Sequence, residues 1–355
     1  MQSRLRYWKY PLIIVLLLLI VAVFTLVYAL SETAEAPYER GDKPDAIVIE
    51  TPNPEEPEPE EPSEEPGSGE EPDETEEPDI LLEFNPNIDG FITIQMEEED
   101  IRRGPLLLVN HNHEFKIPDD LDLVIITEAQ TIPFRVQQST SQLAYSIMQP
   151  LDEMMEAFLS ATNNRAVTIR SAFRTYDNQQ RILNTYISRM GRREALRWAA
   201  IPGHSEHHTG LAFDFGILSG GTVNAFTGAG NTSWFRRNSY RYGFILRYMQ
   251  NKTHITETNY EPWHFRYVSL PHSAVMQEND WCLEEYIDLI REYTLEEPFE
   301  FEFEETLYEI YFIQGTEVRL PLNSEYEISG NNIDGFIITT NRVDTEFEEP
   351  TEIEI

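Results

Sequence analysis

A single cysteine, Cys282, in 355 residues rules out an intramolecular disulfide and every metal site built on thiolates. Any metal must be held by histidine and carboxylate. Basic residues are scarce as well: 26 Lys and Arg stand against 63 Asp and Glu, a formal net charge of -37. No basic stripe is present that could grip nucleic-acid phosphates, which excludes nucleic acid as a partner. Long uncharged apolar runs are absent with one exception, Pro11 to Leu30 (PLIIVLLLLIVAVFTLVYAL). At helical rise this run spans roughly 30 Å, the thickness of a bilayer core.

The exception organises the chain. Arg4, Arg6 and Lys9 precede the run and Glu32 and Glu35 follow it. The positive-inside rule then leaves residues 1–10 in the cytoplasm and sends everything after Leu30 outside. The run is longer than the apolar part of a cleaved leader, so a retained single-pass signal-anchor over 11–30 is expected, with the rest of the chain extracytoplasmic at the cell membrane. Residues 31–79 are rich in Pro and Glu and hold almost nothing apolar to bury, as in TPNPEEPEPEEPSEEPGSGEEPDETEEPD. They read as a disordered, extended stalk. Residues 80–295 read as the catalytic domain and 296–355 as a small acidic β appendage, in which FEFEFEETLYEIYFIQG alternates acidic and apolar residues. The string NIDGFI at 87–92 recurs at 332–337 without any solenoid period.

Within the catalytic region, apolar spacing predicts extended segments at 106–110 and 121–126 and a helix over 141–162. A strand follows at 167–170, and a helix runs from an Asp177 cap to Gly191. Further helices are predicted at 192–200, 234–248 and 283–293. The fold class is α+β, with helices packed around a small antiparallel sheet and a metal cleft at one side.

Three polar segments lie among apolar neighbours: SAFRTYDNQ (171–179), PGHSEHHTGLAFD (202–214) and EPWHFRYV (261–268). Polar groups in such surroundings must be paired or serve chemistry. His207, Asp214 and His264 can supply two imidazoles and one carboxylate, the donor set of a catalytic zinc site with a fourth position left for water. Glu261, three residues before His264, is close enough to reach that water without being a ligand. Singly, such spacings are common scenery.

Taken together, the order S-x-x-R-[ST]-x-x-x-Q, then P-G-x-S-x-H-x-x-G-x-A-x-D, then E-P-W-H-x-R-Y-V resembles the VanY-like D-alanyl-D-alanine carboxypeptidases, a family of zinc metallopeptidases. The resemblance runs from about Leu106 to Thr294. It implies a Zn2+ held by His207, Asp214 and His264, with Glu261 as catalytic base. It also implies that Arg174 faces the scissile carbonyl and that Gln179 and Ser205 contact the terminal residue of a peptidoglycan stem peptide. Phe173 stands where the family more often has Tyr, and Ala172 where Gly is usual. The implied reaction is hydrolysis of the terminal D-Ala-D-Ala bond outside the cytoplasm. An L,D-carboxypeptidase acting on tetrapeptide stems would use the same constellation, and a catalytically silent wall-binding module could keep the cleft without the reaction.

His208 adjoins His207, but the matched spacing to Gly210 and Asp214 favours His207 as the ligand. His204 reads as a rim residue, and His111, His113, His254 and His272 as structural or exposed. Trp263 suits either core packing or a cleft wall. Cys282, beside Trp281, reads as a small buried hydrophobe. Oligomeric state leaves no mark in the sequence.

Overall fold

The computed structural model describes residues 90–322 and 324–341. The apolar run at 11–30 and the stalk at 31–79 lie outside the described residues. Among the described residues no helix is long and apolar enough to cross a membrane.

Alternation along the strands builds the layer that carries the site. Strands β1 (Phe91–Gln95), β2 (Leu123–Ile125), β3 (Arg135–Val136) and β4 (Gln142–Ala144) precede helix α1 (Met148–Thr162). Strand β5 (Val167–Ser171) and helix α2 (Tyr176–Met190) follow, then β6 (Ala212–Ser219), β7 (Thr222–Ala225), β8 (Phe244–Leu246) and β9 (His264–Tyr267). The central sheet has the order β3-β5-β6-β9-β8, with β7 also on β6. It is antiparallel apart from the two-residue edge strand β3, which runs parallel to β5. Phe213 and Phe215 on β6 and Phe265 on β9 fall on one face and cluster with Phe226, Phe235 and α1's Met154, Met155 and Phe158. Ring centroids lie 4.4 Å apart for Phe215 and Phe235 and 4.3 Å for Phe158 and Phe235. Pairs of this kind add about 0.5–1.5 kcal/mol each beyond the area they bury. Because strand side chains alternate, Asp214 and His264 at the intervening positions point to the opposite face.

Several predicted boundaries move for identifiable reasons. The helix read at 141–162 starts at Met148, because Gln142–Ala144 pairs with Leu123–Ile125 instead. Pro150 then falls in the first turn, where its missing N–H costs nothing; seven residues further into a helix it would break the ladder. Helix α2 is capped by Thr175, whose hydroxyl accepts from the Asn178 N–H, two residues ahead of the predicted Asp177 cap. The helix read at 192–200 is only Arg192–Ala195. The one at 234–248 is Ser233–Asn238, and Gly243 at φ +78° turns the chain into β8. Leu106 to Val109 are buried, yet the segment to Asn110 joins no ladder. Asn331 O accepts from Leu108 N, Asn332 Nδ2 donates to Leu108 O, and Arg266 Nη2 donates to Leu107 O.

Helices α3 (His272–Asn279) and α4 (Leu283–Ile290) connect this layer to the C-terminal strands. Strands β10 (Phe299–Phe303), β11 (Thr306–Gln314), β13 (Glu325–Gly330) and β14 (Gly335–Asn341) form an antiparallel sheet in the order β10-β11-β14-β13, while β12 (Glu317–Pro321) pairs with β1. One face of the four-stranded sheet, through Ile310 and Ile337, packs on Val275, Ile287 and Ile290 of α3 and α4. The other face, through Tyr311, Phe336 and Ile338, packs on Ile92, Ile94, Val318 and Leu320 of the β1-β12 pair. The β-rich C-terminal segment thus takes one strand, Phe91–Gln95, from the start of the stretch read as the catalytic domain.

Candidate metal centre

Three neighbouring strands bring the first groups together. Ser171 on β5, Asp214 on β6 and His264 on β9 stand in register across the sheet. A β-bulge between Ile169 and Ser171 re-aims the end of β5 toward the same face. His207 comes from the turn Glu206–Thr209 just before β6. That turn closes at Gly210, at φ +71°, where an added Cβ would lie 2.8 Å from Leu123 Cδ2 and 3.0 Å from Ala144 N. Only glycine fits, which explains the glycine between His207 and Asp214.

His207 Nε2 lies 3.4 Å from Asp214 Oδ1, and His264 Nδ1 lies 3.0 Å from the same oxygen. The three donor atoms all fall within 4.8 Å of one another. Tetrahedral zinc with bonds of about 2.0–2.1 Å separates its ligand atoms by roughly 3.3 Å, so the spacing suits the ion. The other ring nitrogens are engaged: His207 Nδ1 is 2.7 Å from Ala172 O, and His264 Nε2 is 3.2 Å from Glu206 Oε2. His207, Asp214 and His264 are all buried. Donor set, spacing and oriented rings fit a divalent cation.

The electrostatics of the metal-free site follow from burial and pairing. Burial, with Arg174 nearby, pushes His207 down to about 4. Burial works against the charged form of His264 too, but its hydrogen bonds to Asp214 and Glu206 lift it to about 9. Asp214, despite burial, is held well below the usual carboxylate range by His207, His264 and Arg174. Glu261, whose Oε2 is 4.0 Å from His264 Nδ1, is pushed by burial up to about 8 against the pull of His264.

Arg174 occupies the other side of Asp214, with Nη2 2.7 Å from Oδ2. Its Nε donates to Ser171 Oγ and its Nη1 to Gln179 Oε1. Gln179 is almost wholly buried and spends its amide nitrogen on Ala200 O. Both ends of Gln179 thus have partners within the protein, one of them Arg174. Ser205 is buried, just ahead of the turn that carries His207. His208 is fully buried with its nitrogens spent on Arg174 O and Gly203 N, so it cannot replace His207. His204 bonds Asn110 O. Trp263, half-buried, stacks on Trp198 at 6.4 Å. Cys282 is buried at the start of α4, and burial pushes its thiol up to about 12.

Sequence reasoning missed the groups behind the ligands. Glu206, Arg247 and Arg266 are fully buried and joined to one another. The only signal in the sequence was a carboxylate between Ser205 and His207, with nothing to show which way it turned.

A family model described as VanY, D-alanyl-D-alanine carboxypeptidase, matches residues 140–270. A D-alanyl-D-alanine carboxypeptidase of Enterococcus faecium is 34% identical over 248 residues, which cover 68% of this chain and 77% of that one. The chain belongs to the VanY family of D-alanyl-D-alanine carboxypeptidases. A second VanY-like relative, the putative carboxypeptidase YodJ of Bacillus subtilis, is 35% identical over 210 residues, 58% of this chain and 72% of that one. Among solved structures, the vancomycin-resistance D,D-dipeptidase VanXYg in complex with a D-Ala-D-Ala phosphinate analogue superposes with a TM-score of 0.63 at 35% identity. That match covers 71% of this chain and 99% of the other. The mixed α+β fold of the VanY relatives is the fold described above.

Proposed function

We propose that the protein is a zinc carboxypeptidase that hydrolyses the terminal D-Ala-D-Ala bond of peptidoglycan stem peptides. The observation that carries this reading is the convergence of His207 Nε2, Asp214 Oδ1 and His264 Nδ1 with the Glu261 carboxylate beside them. Family membership supports the reaction, and the VanXYg complex supports the substrate class.

Bound Zn2+ would supply the positive charge that polarises the scissile carbonyl and favours attack by water near neutral pH. Glu261 takes the proton of the attacking water on its carboxylate and delivers it to the leaving amine. A carboxylate in this place can accept that proton and then donate it. Arg174 has five N–H donors, of which Ser171, Gln179 and Asp214 each occupy one. The remaining donors, with the Ser205 hydroxyl, can meet the oxyanion or the terminal carboxylate. The chain's net charge of -37 cannot attract an anionic peptide end, so recognition rests on these local groups.

The test is mass spectrometry of pentapeptide and tetrapeptide stems after incubation with the purified protein, with and without chelator. Loss of one D-alanine from the pentapeptide, abolished by chelator, is expected. Cleavage of the tetrapeptide alone would indicate an L,D-carboxypeptidase, and no cleavage of either a silent binding module. On the sequence alone we also propose that residues 11–30 anchor the chain in the cell membrane and that 31–79 hold the catalytic domain away from it outside the cytoplasm.

A further inference from the structure

Glu206 sits between Ser205 and His207 in the chain, yet its side chain is not spent on the cleft. Oε1 accepts from Arg247 Nε at 2.7 Å and from Arg266 Nη1 at 2.9 Å, while Oε2 lies 3.2 Å from His264 Nε2. Neither guanidinium can accept a hydrogen bond, so the Oε1 position must be an acceptor. A carboxylate flanked by two guanidinium groups can only accept at Oε2 as well, and the proton it accepts is that of His264 Nε2. The lone pair of the neutral ring then lies on Nδ1, the nitrogen that faces Asp214 Oδ1 at 3.0 Å. We propose that Glu206 is a positioning residue: it fixes the tautomer and orientation in which His264 presents Nδ1 to the metal. This inference rests on the zinc site proposed above.

The surroundings hold Glu206 in turn. Arg247 is gripped in bidentate fashion by Glu284 of α4, with Nη1 2.8 Å from Oε2 and Nη2 2.7 Å from Oε1. Glu284 also accepts from Asn110 Nδ2. Arg266 Nη2 is tied to the carbonyls of Pro105 and Leu107. Two carboxylates and two guanidinium groups thus form a buried network without net charge, and its side chains reach the ligand set through the bond from His264 to Glu206. The Tyr248 ring, 4.9 Å from that of His264, leaves the imidazole little room to swing.

Glu206→Gln makes a sharp test because its orientation is forced. The amide oxygen must face the two arginines, so the NH2 group faces His264 Nε2. That nitrogen must then accept, and the ring carries its proton on Nδ1, where the metal should sit. Zinc affinity of the full chain, measured by chelator competition, should fall about 10–100-fold, as is typical when the partner of a ligating histidine is altered. Glu284→Gln removes the same charge from the same network but touches no ligand, and should lower thermal stability while leaving zinc affinity at the wild-type value. Equal loss of affinity in both variants would show a general loosening and overturn the positioning role, as would unchanged affinity in Glu206→Gln.

Should Glu206→Gln fail to fold, nitrogen-15 NMR of histidine-labelled, zinc-loaded wild-type protein decides. Metal on Nδ1 of His264 with the proton on Nε2 supports the proposal, and metal on Nε2 overturns it. Failure of the wild-type protein to take up zinc would instead sink the proposed zinc site itself, so the two failures are distinguishable.

Discussion

Arg174 Nη2 lies 2.7 Å from Oδ2 of Asp214, on the carboxylate oxygen that neither His207 nor His264 uses. The two oxygens of Asp214 therefore have separate duties, one toward the imidazoles and one toward a fixed positive charge. A lysine at 174 could not meet Ser171, Gln179 and Asp214 together and still offer a donor to substrate. Arg174→Lys should lower kcat on the order of 10²-fold, the scale of losing one transition-state donor. Metal analysis should find zinc content unchanged, because all three ligand atoms remain. Wild-type turnover in this variant would remove Arg174 from the reaction.

Glu261→Gln keeps shape and reach but cannot take up a proton. Zinc should stay bound and kcat should fall about 10²–10⁴-fold, with KM little altered. A plain metal defect behaves differently, since added zinc would restore it. Single-turnover cleavage at the wild-type rate would move the base elsewhere.

Gly210→Ala is expected to cost about 1–3 kcal/mol, because the residue is held at φ +71° with Leu123 and the Ala144 backbone in the way of a Cβ. The turn that carries His207 would shift with it. Thermal melts should show the loss and chelator competition a weaker zinc site. A fully stable, fully loaded variant would contradict the turn geometry.

Stability at low pH should report on His272. Its ring is fully buried between Tyr286 and Thr339, and burial pushes it down to about 3. The unfolded chain therefore binds a proton near pH 6.5 that the native fold refuses, so this contribution is complete above pH 6.5 and is lost as pH falls toward about 3. In that window stability should drop up to ~1.4 kcal/mol per pH unit more steeply in wild type than in His272→Gln. Glu327, which burial shifts upward, is present in both proteins and cancels from the comparison. Parallel denaturation curves from pH 6.5 to 4 would refute the assignment.

The proposed anchor and stalk have their own test. Protease added to intact cells should cut within 31–79 and release an active soluble domain. Cutting only after lysis would reverse the proposed topology.

His207, Gly210 and Asp214 could be picked out because they are local in sequence, whereas His264, 50 positions beyond Asp214, was joined to them only through the resemblance; the sheet brings the three donor groups within 4.8 Å of one another. Elements with clean periodicity were legible for the same reason, among them the strand at Val167–Ser171, the helix at Leu283–Ile290 and the FEFEF strand. Helix α3 was not, since five successive residues from His272 to Met276 are all buried and leave no polar face to read. Leu106–Asn110 looked like a strand because it is largely apolar, but it joins no ladder, and the carbonyls of Leu107 and Leu108 accept from side chains more than 150 positions away. Gln179, read as a substrate contact, is bonded in the structure to Arg174 and to Ala200 O. The partners of Glu206 come from positions 247 and 266, and no local pattern could announce a pairing made only when β8 and β9 come together.

The pairing of β1 with β12 has a temporal consequence. Gln95 and Thr316, at the mouth of that ribbon, are 221 positions apart and joined by a side-chain hydrogen bond at 2.7 Å. A nascent chain emerging from the ribosome presents Phe91–Gln95 early, yet its partner strand is synthesised only after every metal ligand has already appeared. Ile92 and Ile94 must wait uncovered through that interval, and a contact so distant along the chain closes slowly. The ribbon is thus a late clasp, closed on the outer face of the C-terminal sheet after every metal ligand has been synthesised.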